Sequence, residues 1–342
     1  MALALLIGAA GGFLAFAAGM PLPWMLGALF ASMAAALAGL PVVPPNRIRP
    51  ATVAVIGVLL GARFTPDVIG AMGQWAVSLG LLTVYMIAVA GVTVPFYRYF
   101  GKADWQTAYL SGLPGGLSEM VELGEEKGAD VRTIILAHTL RIVVTIALIA
   151  VWFRVIEGRN VGSMPNFGGA PLTPLDAAML LVCAVAGSIG GKWLKLPAPA
   201  FLGPMFLSAI LHATEMTASS PPTPLVIAAQ IILGTVLGCR FLGTPVGTLL
   251  PALRLSLGAT GATLLIALVF AGLMHAVIGI TLDQGILALA PGGLTEMGLI
   301  ALAINADVAF VALHHVVRIL LVLLLAKPLF ALMPKGQKSR SA

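Results

Sequence analysis

The sequence predicts an all-α polytopic membrane protein made of two homologous inverted repeats, each with five crossings and one broken, re-entrant helix. Three observations carry this expectation. Apolar residues make up 59% of the chain and charged residues 9%, against a usual charged share of roughly 25%. The second half repeats the first at an offset of 177 positions. In both halves a Pro-Gly-Gly triplet interrupts an apolar run.

The duplication is densest around those triplets. Pro114-Gly115-Gly116-Leu117-Ser118-Glu119-Met120 returns as Pro291-Gly292-Gly293-Leu294-Thr295-Glu296-Met297. At the same offset Asp130 matches Asp307, His138 matches His315 and Arg141 matches Arg318. Across 114–141, 12 of 28 positions are identical, too many for chance in a window this rich in ionisable and helix-breaking residues. Gly57, Gly61, Arg63 and Phe64 also match Gly234, Gly238, Arg240 and Phe241. Near the start of each half the offset is 176, pairing Pro21, Pro23 and Gly27 with Pro197, Pro199 and Gly203.

No Asp, Glu, Lys or Arg precedes Arg47, and the runs Asp67 to Arg98 and Glu215 to Arg240 enclose no charge. A spanning helix needs about 20 apolar residues. The N-terminal run lacks a basic n-region and continues past residue 20, so it reads as the first membrane helix rather than a signal peptide. The net charge of +6 comes from basic residues scattered through short loops. That is a positive-inside bias, not a nucleic-acid surface. Cys183 and Cys239 lie in apolar helices, so neither a disulfide nor a zinc site is expected.

Taken in order, the first half gives apolar segments at about 2–19, 22–40, 50–63, 73–97, 103–128 and 131–155. The second half gives about 176–191, 199–213, 224–241, 252–275, 281–305 and 308–332. The repeats are thus 1–156 and 176–333, with a Gly-, Pro- and Asn-rich linker at 157–175 and a basic cytoplasmic tail at 334–342. Glycine pairs four apart, at Gly57/Gly61, Gly234/Gly238, Gly8/Gly12 and Gly187/Gly191, read as close helix packing.

The fifth segment of each half is the broken one. Proline removes a backbone donor and two glycines add freedom, so each should be two half-helices joined by an unwound turn. In lipid such a turn survives only where protein or a water-filled cavity surrounds it. Charge decides between crossing and re-entry. With re-entry, and leaving out Arg141 and Arg318, 14 basic residues fall inside and three (Arg63, Arg154, Arg159) outside. With crossing, the split is ten and seven. The first is favoured. It makes the halves inverted and both termini cytoplasmic.

The candidate site gathers at the breaks. Gly115, Gly116, Gly292 and Gly293 let backbone approach a substrate. Glu119 and Glu296 stand on the first turn of each second half-helix, where the dipole and free N–H groups favour a carboxylate. They read either as caps or as proton- or sodium-coupling groups. Arg141 and Arg318 lie mid-helix, each with a histidine three residues earlier, His138 and His315, which join the two glutamates as candidate coupling groups. Each arginine reads either as a partner for its local glutamate or as a holder of an anionic substrate through its planar fork. Asp130 and Asp307 read as N-caps, and His314 as incidental. The five histidines show no i, i+4 ligand pair, and no catalytic triad or phosphate loop is visible. No metal, cofactor or enzymatic activity is expected.

Leu113 to Met120 and Gly128-Ala129-Asp130-Val131-Arg132, with their second copies and Leu140-Arg141, resemble the AbrB duplication family of bacterial inner-membrane proteins. The resemblance spans nearly the whole chain. It implies a multi-pass inner-membrane location; members carry labels such as ammonia monooxygenase or membrane regulator. Nothing here resembles the small soluble DNA-binding regulator that shares the name. The expectation is a secondary transporter of a small anionic organic solute, coupled to protons or sodium. The rival is a membrane-embedded sensor that regulates gene expression through a partner protein. Membrane lipid and a small anion are the expected partners, nucleic acid is not, and a homodimer is compatible with either reading.

Overall fold

The computed structural model describes residues 1–158, 171–326, 328 and 330. Most of the expected linker and the whole expected basic tail lie outside these residues. Every regular element among the described residues is helical. In chain order they are α1 Ala2–Ala17, α2 Pro23–Leu37, α3 Arg49–Gly61, α4 Pro66–Ala71, α5 Ala76–Tyr99, α6 Trp105–Gly112, α7 Leu117–Lys127 and α8 Val131–Val151. The second half supplies α9 Pro174–Trp193, α10 Pro199–Ala213, α11 Thr223–Gly238, α12 Val246–Ile278, α13 Leu282–Leu289, α14 Leu294–Ala303 and α15 Val308–Leu321.

Five of these, with the short turns that extend two of them, are long and apolar enough to cross a membrane: 76–99, 131–156, 174–193, 223–241 and 246–278. α1, α2, α3 and α10 have 13 to 16 residues, about 20–24 Å at 1.5 Å per residue and short of a ~30 Å hydrocarbon core.

The helices form two compact units, and the repeat boundary is not their boundary. The first unit takes Met1–Gly73, Ala147–Val246 and Gly298–Ala309; the second takes Gln74–Ile146, Gly247–Met297 and Phe310–Ala342. Each unit draws matching elements from both halves. The duplication is therefore expressed inside each unit.

In the first unit the halves exchange helices. Gly57 and Gly61 of α3 lie on the backbone of α10 at Phe201 and Met205. Gly234 and Gly238 of α11 lie on the backbone of α2 at Met25 and Leu29. A Cβ at any of these four would collide with a carbonyl oxygen, so glycine is required for space. The expected packing role of the glycine pairs holds at Gly8/Gly12 and Gly187/Gly191 too, which face α11 or α2 and α10. α2 and α10 also begin alike. Leu22 (φ 44°) and Ala198 (φ 47°) are left-handed, and each is followed by a proline whose fixed φ starts the helix. A non-glycine residue there costs of order 1–2 kcal/mol, and both copies keep it.

The second unit holds both breaks, while α14 passes into the first unit at Gly298. α6 and α7 are separated at Leu113–Gly116, and α13 and α14 at Ala290–Gly293. A core of Leu82, Tyr85, Met86, Val89, Leu110, Leu113, Met120, Ala267, Met274, Leu289 and Val322 packs residues from both breaks together. Asp104 caps α6, its carboxylate accepting the Thr107 N–H at 2.8 Å. Asp130 caps α8, accepting from Thr133 N at 3.2 Å and from its hydroxyl at 2.6 Å. Thr107 Oγ1 in turn accepts the Asp130 N–H at 2.9 Å, which ties the start of α8 to α6.

Candidate functional site

Breaking a helix strips the last carbonyls of its first half of their N–H partners. In a buried setting each needs a donor. At the second break, His315 Nε2 lies 2.9 Å from Leu287 O, and Arg318 donates from Nη1 to Ala290 O at 2.6 Å and from Nη2 to Gly292 O at 3.0 Å. At the first, His138 Nε2 lies 2.8 Å from Leu110 O, and Arg141 Nη1 donates to Leu113 O at 3.0 Å and to Ser111 O at a longer 3.4 Å. The same His–x–x–Arg pair, on the last helix of each half, caps the same broken helix. The four side chains are buried.

The tautomer follows from the acceptors. A carbonyl oxygen only accepts, so Nε2 of each histidine carries the proton. Nδ1 then presents its lone pair to Arg Nη2, at 2.9 Å in the first copy and 3.0 Å in the second. Each arginine is thereby held in place by a neutral imidazole one turn away.

The expected arginine–glutamate pairs are not what the structure holds. Among the described residues neither guanidinium has a carboxylate partner. Glu119 instead folds back over Gly116, and Glu296 over Gly293. Gly116 is the N-cap of α7 and Glu119 its third residue, the position from which a glutamate reaches back to the capping residue. Glu296 Oε2 also accepts the Thr295 hydroxyl at 2.7 Å. The capping alternative for the glutamates therefore has direct geometric support.

The glycines of the breaks serve by being small. Gly116 has φ −70° and ψ 135°, and none of Gly115, Gly116, Gly292 and Gly293 is left-handed. A Cβ on Gly292 would come within 2.6 Å of Met297 Cε, and one on Gly115 within 2.8 Å of Val322 Cγ1. One on Gly116 or Gly293 would strike the glutamate folded over it.

The two breaks meet. Tyr85 of α5 donates to Leu289 O at 2.8 Å in the second break, while Thr93 of the same helix donates to Gly112 O at 3.0 Å in the first. Residues of both breaks pack into one core, and each break carries a buried arginine with no carboxylate partner among the described residues.

The family described as "Transition state regulatory protein AbrB" matches residues 24–333. The chain belongs to the AbrB family. A Bacillus subtilis (strain 168) protein named "Uncharacterized protein YhjN" is 27% identical over 96% of this chain and 91% of its own length. An Escherichia coli (strain K12) protein named "Putative regulator AbrB" is 26% identical over 89% of this chain and 88% of its own.

In this AbrB-family chain the structure also brings in residues that the repeat comparison passes over. Tyr85 and Thr93 align with Ala262 and Phe270, so matching the halves hides them. Their signal was a polar group in an otherwise apolar run. His314, expected to be incidental, is fully buried. Its Nδ1 lies 2.8 Å from Phe310 O and its Nε2 3.0 Å from Ser78 Oγ. It fastens the last helix to the start of α5.

Proposed function

We propose that this AbrB-family protein is a secondary transporter of a small organic anion, coupled to protons or sodium. One observation carries the reading: two buried guanidiniums lie at two broken helices that meet, with no carboxylate partner. A buried charge is tolerated when something neutralises it. The two α-helical N-termini at the breaks add partial positive charge in the same region. Glu119, Glu296, His138 and His315 are the coupling groups of this reading: each glutamate folds its carboxylate over the glycine at the start of a half-helix, and protonation would loosen that contact. The inverted topology belongs to the same proposal, with both termini cytoplasmic in a bacterial inner membrane. So do membrane lipid and the anion as partners, and no catalytic residue.

The test is counterflow. Purified protein in proteoliposomes is loaded in turn with acetate, lactate, succinate, malate or citrate, and exchange of the labelled acid is measured. Exchange that Arg141→Gln abolishes supports the proposal. No exchange of any acid by folded protein sinks it. Cysteine labelling at Ser163 and Ser341 checks the topology: the two must label from opposite sides.

A second reading has one specific observation behind it, the word regulator in the name of the Escherichia coli relative. A sensor would act through another protein, and a partner recovered stoichiometrically in gentle detergent would favour it.

A further inference from the structure

We propose that the two breaks are unequal as binding sites. The first takes a small carboxylate on Arg141 and the hydroxyls of Ser111, Thr145 and Thr260, whereas Arg318 only braces its own break. This deepens the anion-carrier reading and rests on it.

A buried serine or threonine in a helix usually gives its proton to the carbonyl one turn back. Thr52, Thr93 and Thr263 do so, to Ile48, Val89 and Ala259. Ser111, Thr145, Ser256 and Thr260 do not. Each is at most 1% exposed. Their hydroxyls have no hydrogen-bond partner among the described residues; Nε of Arg141 and Nε of Arg318 are likewise unpartnered, so the hydroxyls and not the guanidinium Nε separate the two copies. Buried donors left unpaired are costly, and a group of them calls for an explanation.

They sit on faces that converge. Ala108 of α6, Ala137 of α8, Ala259 of α12 and Tyr97 of α5 pack into one cluster. Ser111 follows Ala108 by three residues. Arg141 and Thr145 follow Ala137 by four and eight. Ser256 and Thr260 flank Ala259. Helical spacing puts Ser111, Arg141, Thr145 and Ser256 on the clustered side of their helices, and Thr260 shares the face of Ser256 one turn on. A guanidinium and several hydroxyl donors are the set a carboxylate accepts from. They are a poor set for a cation, which the guanidinium would repel.

The second copy keeps the cation and loses the donors. Ser111, Thr139 and Thr145 become Ala288, Val316 and Val322, all buried. Arg318 spends both terminal nitrogens on break carbonyls, at 2.6 and 3.0 Å. Arg141 holds Leu113 O at 3.0 Å and reaches Ser111 O only at 3.4 Å, both from Nη1, which leaves Nη2 with His138 alone. An anion at Arg318 would meet charge and one hydroxyl, that of Tyr85, already given to Leu289 O; at Arg141 it would meet charge and unpaired hydroxyls.

The experiment uses the full chain in membrane vesicles, with Cys183 and Cys239 replaced by alanine. Single cysteines are introduced as Ser111→Cys and Thr145→Cys, and at their counterparts as Ala288→Cys and Val322→Cys. Each is treated with the anionic sulfonatoethyl and the cationic trimethylammonioethyl methanethiosulfonate. We expect S111C and T145C to react, about tenfold faster with the anionic reagent, and A288C and V322C to stay at background. Arg141→Gln should erase the preference at S111C and Arg318→Gln should leave it. Equal rates in the two copies overturn the proposal, as does a faster cationic reagent or no reaction at any of the four. If Arg318→Gln alone erases the preference, the anion sits at the other copy: this proposal falls while the carrier reading stands. Failure of the carrier reading shows separately, as lack of counterflow.

Discussion

The two compact units use the same duplication in opposite ways. In the first, the halves meet through glycine: α3 on α10 and α11 on α2, with backbone against backbone. In the second, they meet through polar groups: His138, Arg141, His315, Arg318, Tyr85 and Thr93 reach the carbonyls that two broken helices expose. Close packing of unbroken helices needs no donor, because every backbone group is already paired. A broken helix needs several. Buried charge is therefore concentrated where the backbone is irregular.

The largest expected effect tests the glycine side of this contrast. Gly234→Leu places side chain against Met25 O, a fixed backbone atom. The cost should exceed the 1–3 kcal/mol usual for overpacking, and the protein should lose its monodisperse profile in detergent gel filtration. Gly261→Leu in α12 is the control, because nothing lies within 4 Å of a Cβ there. It should be neutral or slightly stabilising. Equal damage from both would dissolve the contrast.

Next comes the arginine cap. Arg318→Leu leaves Ala290 O and Gly292 O without their donor, at about 1–3 kcal/mol for each buried group left bare. Part of this is offset because a buried charge is removed. A net loss of about 2 kcal/mol should appear as a lower Tm. Adding Glu296→Gln should restore none of it, since the glutamate folds over Gly293 instead. A double variant that regains the Tm would make the two residues an ion pair after all.

The histidines come third. His315→Ala and His138→Ala each uncover one carbonyl, Leu287 O or Leu110 O, and release the neighbouring arginine. A loss of about 1–2 kcal/mol is expected for each, similar in the two copies because the geometry is. A large difference in Tm would show that one cap matters far more than the other.

The smallest effect belongs to Gly116→Ala. The new methyl meets only the movable Glu119 carboxylate, so stability should change by about 1 kcal/mol or less. Insertion and Tm should be nearly unchanged while exchange of the solute falls. A large drop in Tm would mean that the Glu119 cap is structural first.

The sequence by itself determined the class, the duplication and the places where helices break. Apolar length, proline and glycine are local properties, and they act wherever they stand. It also marked Gly57/Gly61 and Gly234/Gly238 as contact points, because spacing four apart fixes a helix face. Tertiary structure alone decided what the arginines touch. Their partners are backbone carbonyls of Leu113, Ala290 and Gly292. Every residue carries such a carbonyl, so no letter in the sequence distinguishes those left exposed by a break. The interleaving of the halves into two units was likewise hidden, since the repeat boundary lies in the chain and the units lie in space. So were Tyr85, Ser111 and Thr145. Matching one half to the other shows what the copies share, and it passes over polar groups that one copy alone carries and that folding buries.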